Sequence, residues 1–557
     1  MERKEQSKKV FWVTALVILC RFLAFPSTDF NETSRLAALG KVWGLLKYHH
    51  PRVAAGKIDW DEALISEIPE AKACQTREEF GRVLDSLIRT AGSAAFLYGP
   101  RVVPRNRPDA SLFSWTRDPA LFPPTISLKL ALFLDTFDGG PNAYISPVSN
   151  VGNPDLTGEE PYAYPSLPDE AHRLLALFRY WNIIQYFYPH KHLIDRDWEE
   201  VLEEFVPKFS SAESSLDYHL AVSELTAAIR DTHAYCVSTV LSDYWGYYLP
   251  PFEASLIAGQ SVVSKIHAPY RTEAGALNVG DVIVKVDGVP IEFLRQDKRR
   301  YLSASNESAG HRRLHLNFFR GPDEGLRLTI RRGGAEFDVD VRRIYARSWS
   351  LPAVSTPPVA ILADNIGYID MGVLNPADVA DGMASLAGTQ AIIFDVRNYP
   401  QGTLYSLAEF LYPEPKPFYA YSYADFTAPG SFLRQSGPIL GRSPNNPSAY
   451  RGRIVILANE TTISHAEFTC MCLKAVPGAV LIGSQTAGAD GNVSVLKLPG
   501  GIETCFTGIG IMYPDGRETQ GVGIIPDIEV CPTIQGLTDG RDEVLERALQ
   551  YIRRGDK

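Results

Sequence analysis

Ser464 sits where an apolar run, residues 454–458, gives way through a short polar turn to a helical pattern, in the stretch VILANETTISHAEF. A serine there can lift its hydroxyl out of a strand-to-helix turn. The free N–H groups of the helix N-terminus would then stand ready to stabilise an oxyanion, which is a geometry for nucleophilic acyl transfer. The same residue also reads as a helix cap, because Glu467 three positions on completes a capping box. A candidate base exists elsewhere. LAVSELTAAIRDTHAY, residues 220–235, has apolar Leu220, Leu225, Ala228 and Ile229 on one helical face and ends at Asp231, Thr232 and His233. A histidine suits general-base work because its unperturbed pKa lies near neutrality.

Three segments occur in a fixed order: VILANETTISHAEF, VLIGSQTAGADGN and PDGRETQGVGIIPDI. Together they resemble the tail-specific (C-terminal-processing) serine peptidases, in the branch that holds the tricorn protease core and the retinoid-binding proteins of the photoreceptor matrix. The ending GVGIIPDIEV is the most specific piece. The resemblance implies that Ser464 is the nucleophile and His233 its base, with Thr232 beside it helping to orient the ring. The family's Asp-x-Arg-x-Asn-x-Gly-Gly run stands here as Asp395, Arg397, Asn398 and, after Tyr-Pro-Gln, a lone Gly402. Gly402 is the expected oxyanion donor, paired with the backbone N–H of His465. Most bacterial relatives carry a Gly-Lys-Gly after the nucleophile and use the lysine as base. The matching stretch here, residues 486–491, is TAGADG and has no lysine, and Lys497 lies further on in a strand-like segment. A Ser–His pair is therefore expected rather than a Ser–Lys dyad. His465 adjoins the nucleophile but points roughly 100° away on a helix, a poor position for a base. The tricorn-like pattern also places a glutamate shortly before the closing Gly-x-Gly. Gln520 occupies the nearest spot and Glu518 lies two residues earlier, so Glu518 is the expected orienting carboxylate and Gln520 the alternative.

The elements that must position these groups fall into a multidomain α/β chain. At 557 residues it exceeds what one hydrophobic core can fill. Residues 35–64 recur at 173–202 with an offset of 138: Arg35, Trp43, Tyr48, Pro51, Asp59 and Trp60 return as Arg173, Trp181, Tyr186, Pro189, Asp197 and Trp198. This is a duplicated helical unit, with a first copy at 28–95 and a second at 169–250 that alone carries the base. Between them, residues 96–168 read as a β-rich insert or linker, on stretches such as ISLKLALFLDTF. Residues 252–345 turn to short strands around Gly280, Asp281, Ile283, Asp287 and Gly288, and resemble a PDZ-like β domain, a fold that binds extended peptide by strand addition. Residues 359–535 alternate strand and helix as an α/β peptidase domain, ClpP/crotonase-like by the family resemblance, and 536–557 read as a closing helix.

The net charge of −10 and the absence of a basic stripe interleaved with aromatics argue against a nucleic-acid partner. The first 27 residues carry a basic stretch and a short apolar run, read as an export signal or an uncleaved membrane anchor, which points to the periplasm or cell envelope. Seven cysteines in so long a chain do not make a disulfide framework. His49-His50 and His190-x-His192 lack matching acidic or cysteine ligands, so neither a metal nor another cofactor is expected. The leading expectation is a serine peptidase acting on exported polypeptides. A non-proteolytic ligand- or peptide-binding protein on the same scaffold, or a small-substrate esterase or amidase, are the alternatives.

Overall fold

The computed structural model describes residues 30–92, 108–136, 140–352, 356–442, 444 and 446–555. The N-terminal export or anchor segment and part of the insert lie outside these residues. Among the described residues no helix is long and apolar enough to cross a membrane.

The first helical unit consists of α1 (Glu32–His49), α2 (Trp60–Ala73) and α3 (Arg77–Ala91). After a further helix, α4 (Pro124–Thr136), the second unit follows as α5 (Glu170–Phe187), α6 (Trp198–Ser210) and α7 (Ser215–Ala228). Each helix of the two units starts on a capping residue. Asp59 caps α2 and its equivalent Asp197 caps α6, while Thr76 with Glu79 and Ser214 with Asp217 form capping boxes on α3 and α7. The 138-residue repeat is also a repeat of contacts. Trp43 and Trp60 each donate their indole N–H to the other's carbonyl, at 2.8 and 3.0 Å, and Trp181 and Trp198 do the same at 2.6 and 3.1 Å. Arg35 holds the carbonyls of Ala71 and Lys72; Arg173 holds those of Phe209 and Ser210.

The two units pack about an approximate two-fold axis between α1 and α5. Gly40 faces Phe178, and Gly44 faces Asn182, which are the same positions in the two copies. A Cβ on Gly44 would lie 2.0 Å from the Asn182 amide, so the close crossing requires glycine. Lys41 pairs with Glu199 at 3.1 Å, and the symmetry-equivalent Arg179 pairs with Asp61 at 2.5 Å. Lys47 and Glu159 complete a fully buried quartet with Arg179 and Asp61.

The insert departs from its β-rich reading. Its described part is a 3-10 turn at Ala110–Arg117, helix α4 and one two-residue strand pair, Ser146–Pro147 with Pro154–Asp155. The alternation of Ile126, Leu128, Leu130 and Leu132 suggests a strand. Burial instead follows Ile126, Leu130 and Phe133, spaced as one face of a helix, while Leu128 and Leu132 are exposed. Leucine and alanine are strong helix formers, and a face with a partner decided the outcome.

Residues 252–342 form an antiparallel sheet of β1 (Phe252–Ile257), β2 (Gln260–Ile266), β3 (Val282–Val286), β4 (Gly325–Arg332) and β5 (Ala335–Arg342), in the order β5-β4-β3-β2-β1. Helix α8 (Glu307–Phe318) packs along β1, an edge strand. The catalytic domain is built on β6 (Val359–Leu362), β7 (Ile366–Asp370), β8 (Ala391–Asp395), then β9 (Ala420–Ala424), β10 (Phe432–Ser436), β11 (Arg453–Ala458) and β12 (Val480–Gly483). It closes with β13 (Val493–Leu498), β14 (Ile502–Thr507), β15 (Ile509–Met512) and β16 (Ile528–Glu529). The main sheet runs β6-β7-β8-β11-β12-β16 and is parallel except for β6. Its central strands are uninterrupted apolar runs because both faces are covered. Helices α9 (Leu404–Leu411) and α10 (His465–Lys474) lie on one face and α11 (Glu543–Arg554) on the other. The loops that carry chemistry leave the carboxyl ends of the neighbouring strands β8, β11 and β12, where open α/β sheets place their sites.

Candidate active site

Ser464 is the residue between the β11 turn and α10, and its backbone is strained, at φ 58° and ψ −128°. A non-glycine residue holds that conformation only when its surroundings impose it. Here the Ser464 N–H donates to the Ala489 carbonyl at 2.8 Å. The side chain makes no cap bond, so the capping reading does not describe this serine. Glu467 reaches instead into the loop after β12, accepting from Gly488 N–H and Ala489 N–H at 2.8 Å each and from the Thr486 hydroxyl. Burial pushes the Glu467 carboxyl up to about 7 against the pull of these donors. Burial, and then Glu467 itself, also push neighbouring Asp490 well above the usual carboxylate range. The 486–491 stretch thus carries a buried acid.

His233 follows the end of α7, and the short strand Cys236–Val237 after it pairs with β14. The same 486–491 loop ties it to Ser464. Thr232 Oγ1 donates to the Ala487 carbonyl at 2.9 Å, two residues from the carbonyl that holds Ser464. His233 Nδ1 lies 2.9 Å from Thr507 Oγ1, the last residue of β14. Thr507 in turn donates its hydroxyl to Asp231 Oδ1 at 2.9 Å and its N–H to Asp231 Oδ2 at 2.6 Å. Asp231 also accepts from the His233 N–H at 2.9 Å and from Gln520 Nε2 at 3.1 Å. Burial lowers the His233 pKa, Asp231 opposes this, and Arg313 and His190 add to it. Among the described residues neither Ser464 Oγ nor His233 Nε2 makes a hydrogen bond, to the other or elsewhere.

Two of the expected orienting residues do something else. Thr232 spends its proton on Ala487 and accepts from the Ser305 N–H at 2.7 Å, so it locks the loop and does not touch the imidazole. Glu518 turns to the opposite side, bonded to His192 Nε2 at 2.7 Å with His190 Nδ1 at 3.9 Å. Those imidazoles, His190 first, hold its carboxyl down at about 2. Glu518 forms a bridge with Met512, whereas Gln520 is buried against Asp231. The two-residue period of a strand does not survive in this turn, and the pair do not share a face.

Gly402 stands at φ 79° in an exposed turn before α9, where a Cβ would meet nothing within 4 Å. Its loop lies against the nucleophile turn: Thr461 Oγ1 donates to the Arg397 carbonyl at 2.8 Å, and the Tyr399 and His465 rings are 6.3 Å apart. The N–H groups of Gly402 and His465 donate to no acceptor among the described residues. Arg397 clamps Asp395 and Asp542 and Asn398 bonds Asp370 at 3.1 Å, so those residues anchor the loop. Lys497 is exposed on β13, opposite Glu503. Among the described residues no cluster of His, Cys, Asp and Glu could hold a metal ion.

Residues 365–530 match the model of peptidase family S41. Over 289 residues the chain is 22% identical to a chloroplastic C-terminal processing peptidase of Tetradesmus obliquus, covering 50% of this chain and 58% of that one. It therefore spans little more than half of that relative's length. A 113-residue segment is 30% identical to a protein of Chlamydia trachomatis serovar D. In fold, the chain is similar to mature CPAF, and to mature CPAF complexed with lactacystin. Each gives a TM-score of 0.53 at 17% identity, over 70% of this chain and 98% and 99% of the other. The match places a peptidase family S41 domain at residues 365–530 of this chain.

Proposed function

We propose that this protein is a serine peptidase that cleaves polypeptides through an acyl-enzyme formed on Ser464, with His233 as general base. The observation that carries the reading is the shared loop: carbonyls two residues apart, of Ala487 and Ala489, hold the base loop and the strained nucleophile. His233 Nε2 takes the Ser464 proton as Oγ attacks the peptide carbonyl. The imidazolium then passes that proton to the leaving amine, and water repeats the sequence on the ester. The N–H groups of His465 and Gly402 receive the oxyanion, since both are unspent donors beside the nucleophile turn.

The sheet at 252–342 serves as the PDZ-like peptide-holding domain, an extended chain adding to the edge strand β1 beside α8. The protein acts outside the cytoplasm, as the basic and apolar N-terminal segment indicates. The test is covalent labelling of the full chain by a fluorophosphonate, with the modified residue identified by mass spectrometry. Labelling at Ser464, lost in Ser464→Ala along with casein cleavage, is expected. Wild-type casein cleavage by a purified Ser464→Ala protein overturns the reading, and labelling with no peptide cleavage moves it to the esterase or binding alternatives.

A further inference from the structure

The expected carboxylate behind the base is missing from its expected place: Gln520 stands there, and Glu518 faces His192. Yet His233 is not left unsupported. Asp231 is fully buried and its two oxygens accept four donors: Thr507 N–H, Thr507 Oγ–H, His233 N–H and Gln520 Nε2. We infer that Asp231 acting through Thr507, with Gln520 behind it, is the positioning unit that fixes the tautomer of His233. This rests on His233 being the base for Ser464.

A threonine hydroxyl has a single proton, and Thr507 gives it to the Asp231 carboxylate. Toward His233 Nδ1, 2.9 Å away, it can then only accept, so Nδ1 carries the hydrogen and Nε2 keeps its lone pair. That is the tautomer a base needs on the side facing a nucleophile. When Nε2 takes the proton, the Oγ–H bond of Ser464 breaks and an Nε2–H bond forms. The Nδ1–H, the Thr507 proton and the Asp231 carboxylate stay where they are. The relay orients and stabilises the imidazolium; it does not move a proton along itself.

Gln520 fits the same logic. Its amide nitrogen is 3.1 Å from Asp231 Oδ1 and 3.4 Å from Ser305 Oγ. A glutamate at 520 would set two buried carboxylates against each other. The charge that the tricorn-like pattern carries there is supplied here from position 231, and an amide donor fills the vacated place. The rest of the loop is pinned independently. Ser303 Oγ accepts from the Asp231 N–H at 3.0 Å, and Arg313 donates to the Ala234 carbonyl at 2.6 Å and to that of Thr232.

The experiment compares Thr507→Val, Thr507→Ser and Asp231→Asn in the full chain, with p-nitrophenyl butyrate as substrate. Thr507→Val should lower kcat on the order of 10²-fold with KM little changed, and Thr507→Ser should restore it to within about five-fold. Asp231→Asn should lower kcat on the order of 10³-fold and move the acid limb of the profile to lower pH, because the Asp231 charge favours protonated His233. The other groups facing His233 are Arg313, His190 and Cys505, whose thiol donates to the His233 carbonyl; none changes in these variants. Ring 15N NMR should show Nδ1–H in the wild type and a mixture in Thr507→Val. If Asp231→Asn does not fold, the Thr507 pair and the ring spectra decide alone. Wild-type kcat in Thr507→Val, or equal loss in Thr507→Ser, overturns the inference. Ser464→Ala and His233→Ala run alongside: wild-type turnover in either removes the underlying reading, whereas two inactive controls beside an unimpaired Thr507→Val remove only the positioning unit.

Discussion

Replacing Glu467 with glutamine should remove most of the pH dependence of opening in the loop that holds Ser464. The Glu467 carboxyl is fully buried and pushed from its ordinary 4.5 up to about 7. The sign follows from linkage. A carboxyl with a raised folded-state value supports the native form below about pH 4.5, and that support is lost as pH rises through about 7. At roughly 1.4 kcal/mol for each pH unit between the two values, the loss is about 3 kcal/mol by pH 8. Glutamine has no such titration, and it relieves rather than strengthens the pressure on Asp490, which burial and Glu467 raise together. Relative to Glu467→Gln, the wild-type loop should therefore open about two orders of magnitude more often at pH 8 than at pH 5. The amides of Gly488 and Ala489, which donate to Glu467, are the reporters. Hydrogen exchange of peptides covering 484–491 in both proteins, compared at each pH so that intrinsic rates cancel, reads the ratio directly. A ratio that stays within about threefold from pH 5 to pH 8 refutes the reasoning.

His233→Ala should abolish ester and peptide turnover while Lys497→Ala keeps most of it, since Lys497 is an exposed strand residue; steady-state rates of the two variants decide. Because burial lowers the His233 pKa, the acid limb of wild-type kcat/KM should fall below the ordinary imidazole value of 6.5. Glu518→Gln should change kcat less than about threefold, because that carboxylate bonds His192 and not the base; a loss above about tenfold would return it to the catalytic network. Arg179→Ala leaves Asp61 and Glu159 buried with one cation fewer and should cost about 3–5 kcal/mol. Tryptophan fluorescence during urea unfolding measures it, since Trp43 and Trp60 lie in the first helical unit and Trp181 and Trp198 in the second.

The multidomain α/β plan was readable from alternating strand and helix signals, and the strand, turn and helix around Ser464 and the helix ending shortly before His233 form as their local patterns suggest. The repeat was readable because identical side chains recur at one spacing, and the paired tryptophans and arginines show why those were kept. What the residues could not announce was partnership across distant segments. Asp231, Thr507 and Gln520 come from a helix end, a strand end and a turn, and nothing in the spacing of 231, 507 and 520 says that they meet. Glu518 was the natural choice from chain position, but the conformation of one turn hands it to His192. The α4 segment failed differently. Its apolar residues satisfy both a period of two and a helical face, and only the packing on Ile126, Leu130 and Phe133 separates them.

The two-fold arrangement of the helical units has a consequence for concentration. Ordinary two-fold partners separate on dilution, and anything their contact holds in place is then lost. Here the equivalent of the second subunit is spliced into the same chain, so its local concentration stays in the millimolar range whatever the bulk value. The half that carries His233 therefore keeps its mate at any dilution. The other half supplies glycines at the crossing, ion pairs across it, and a tryptophan pair of its own.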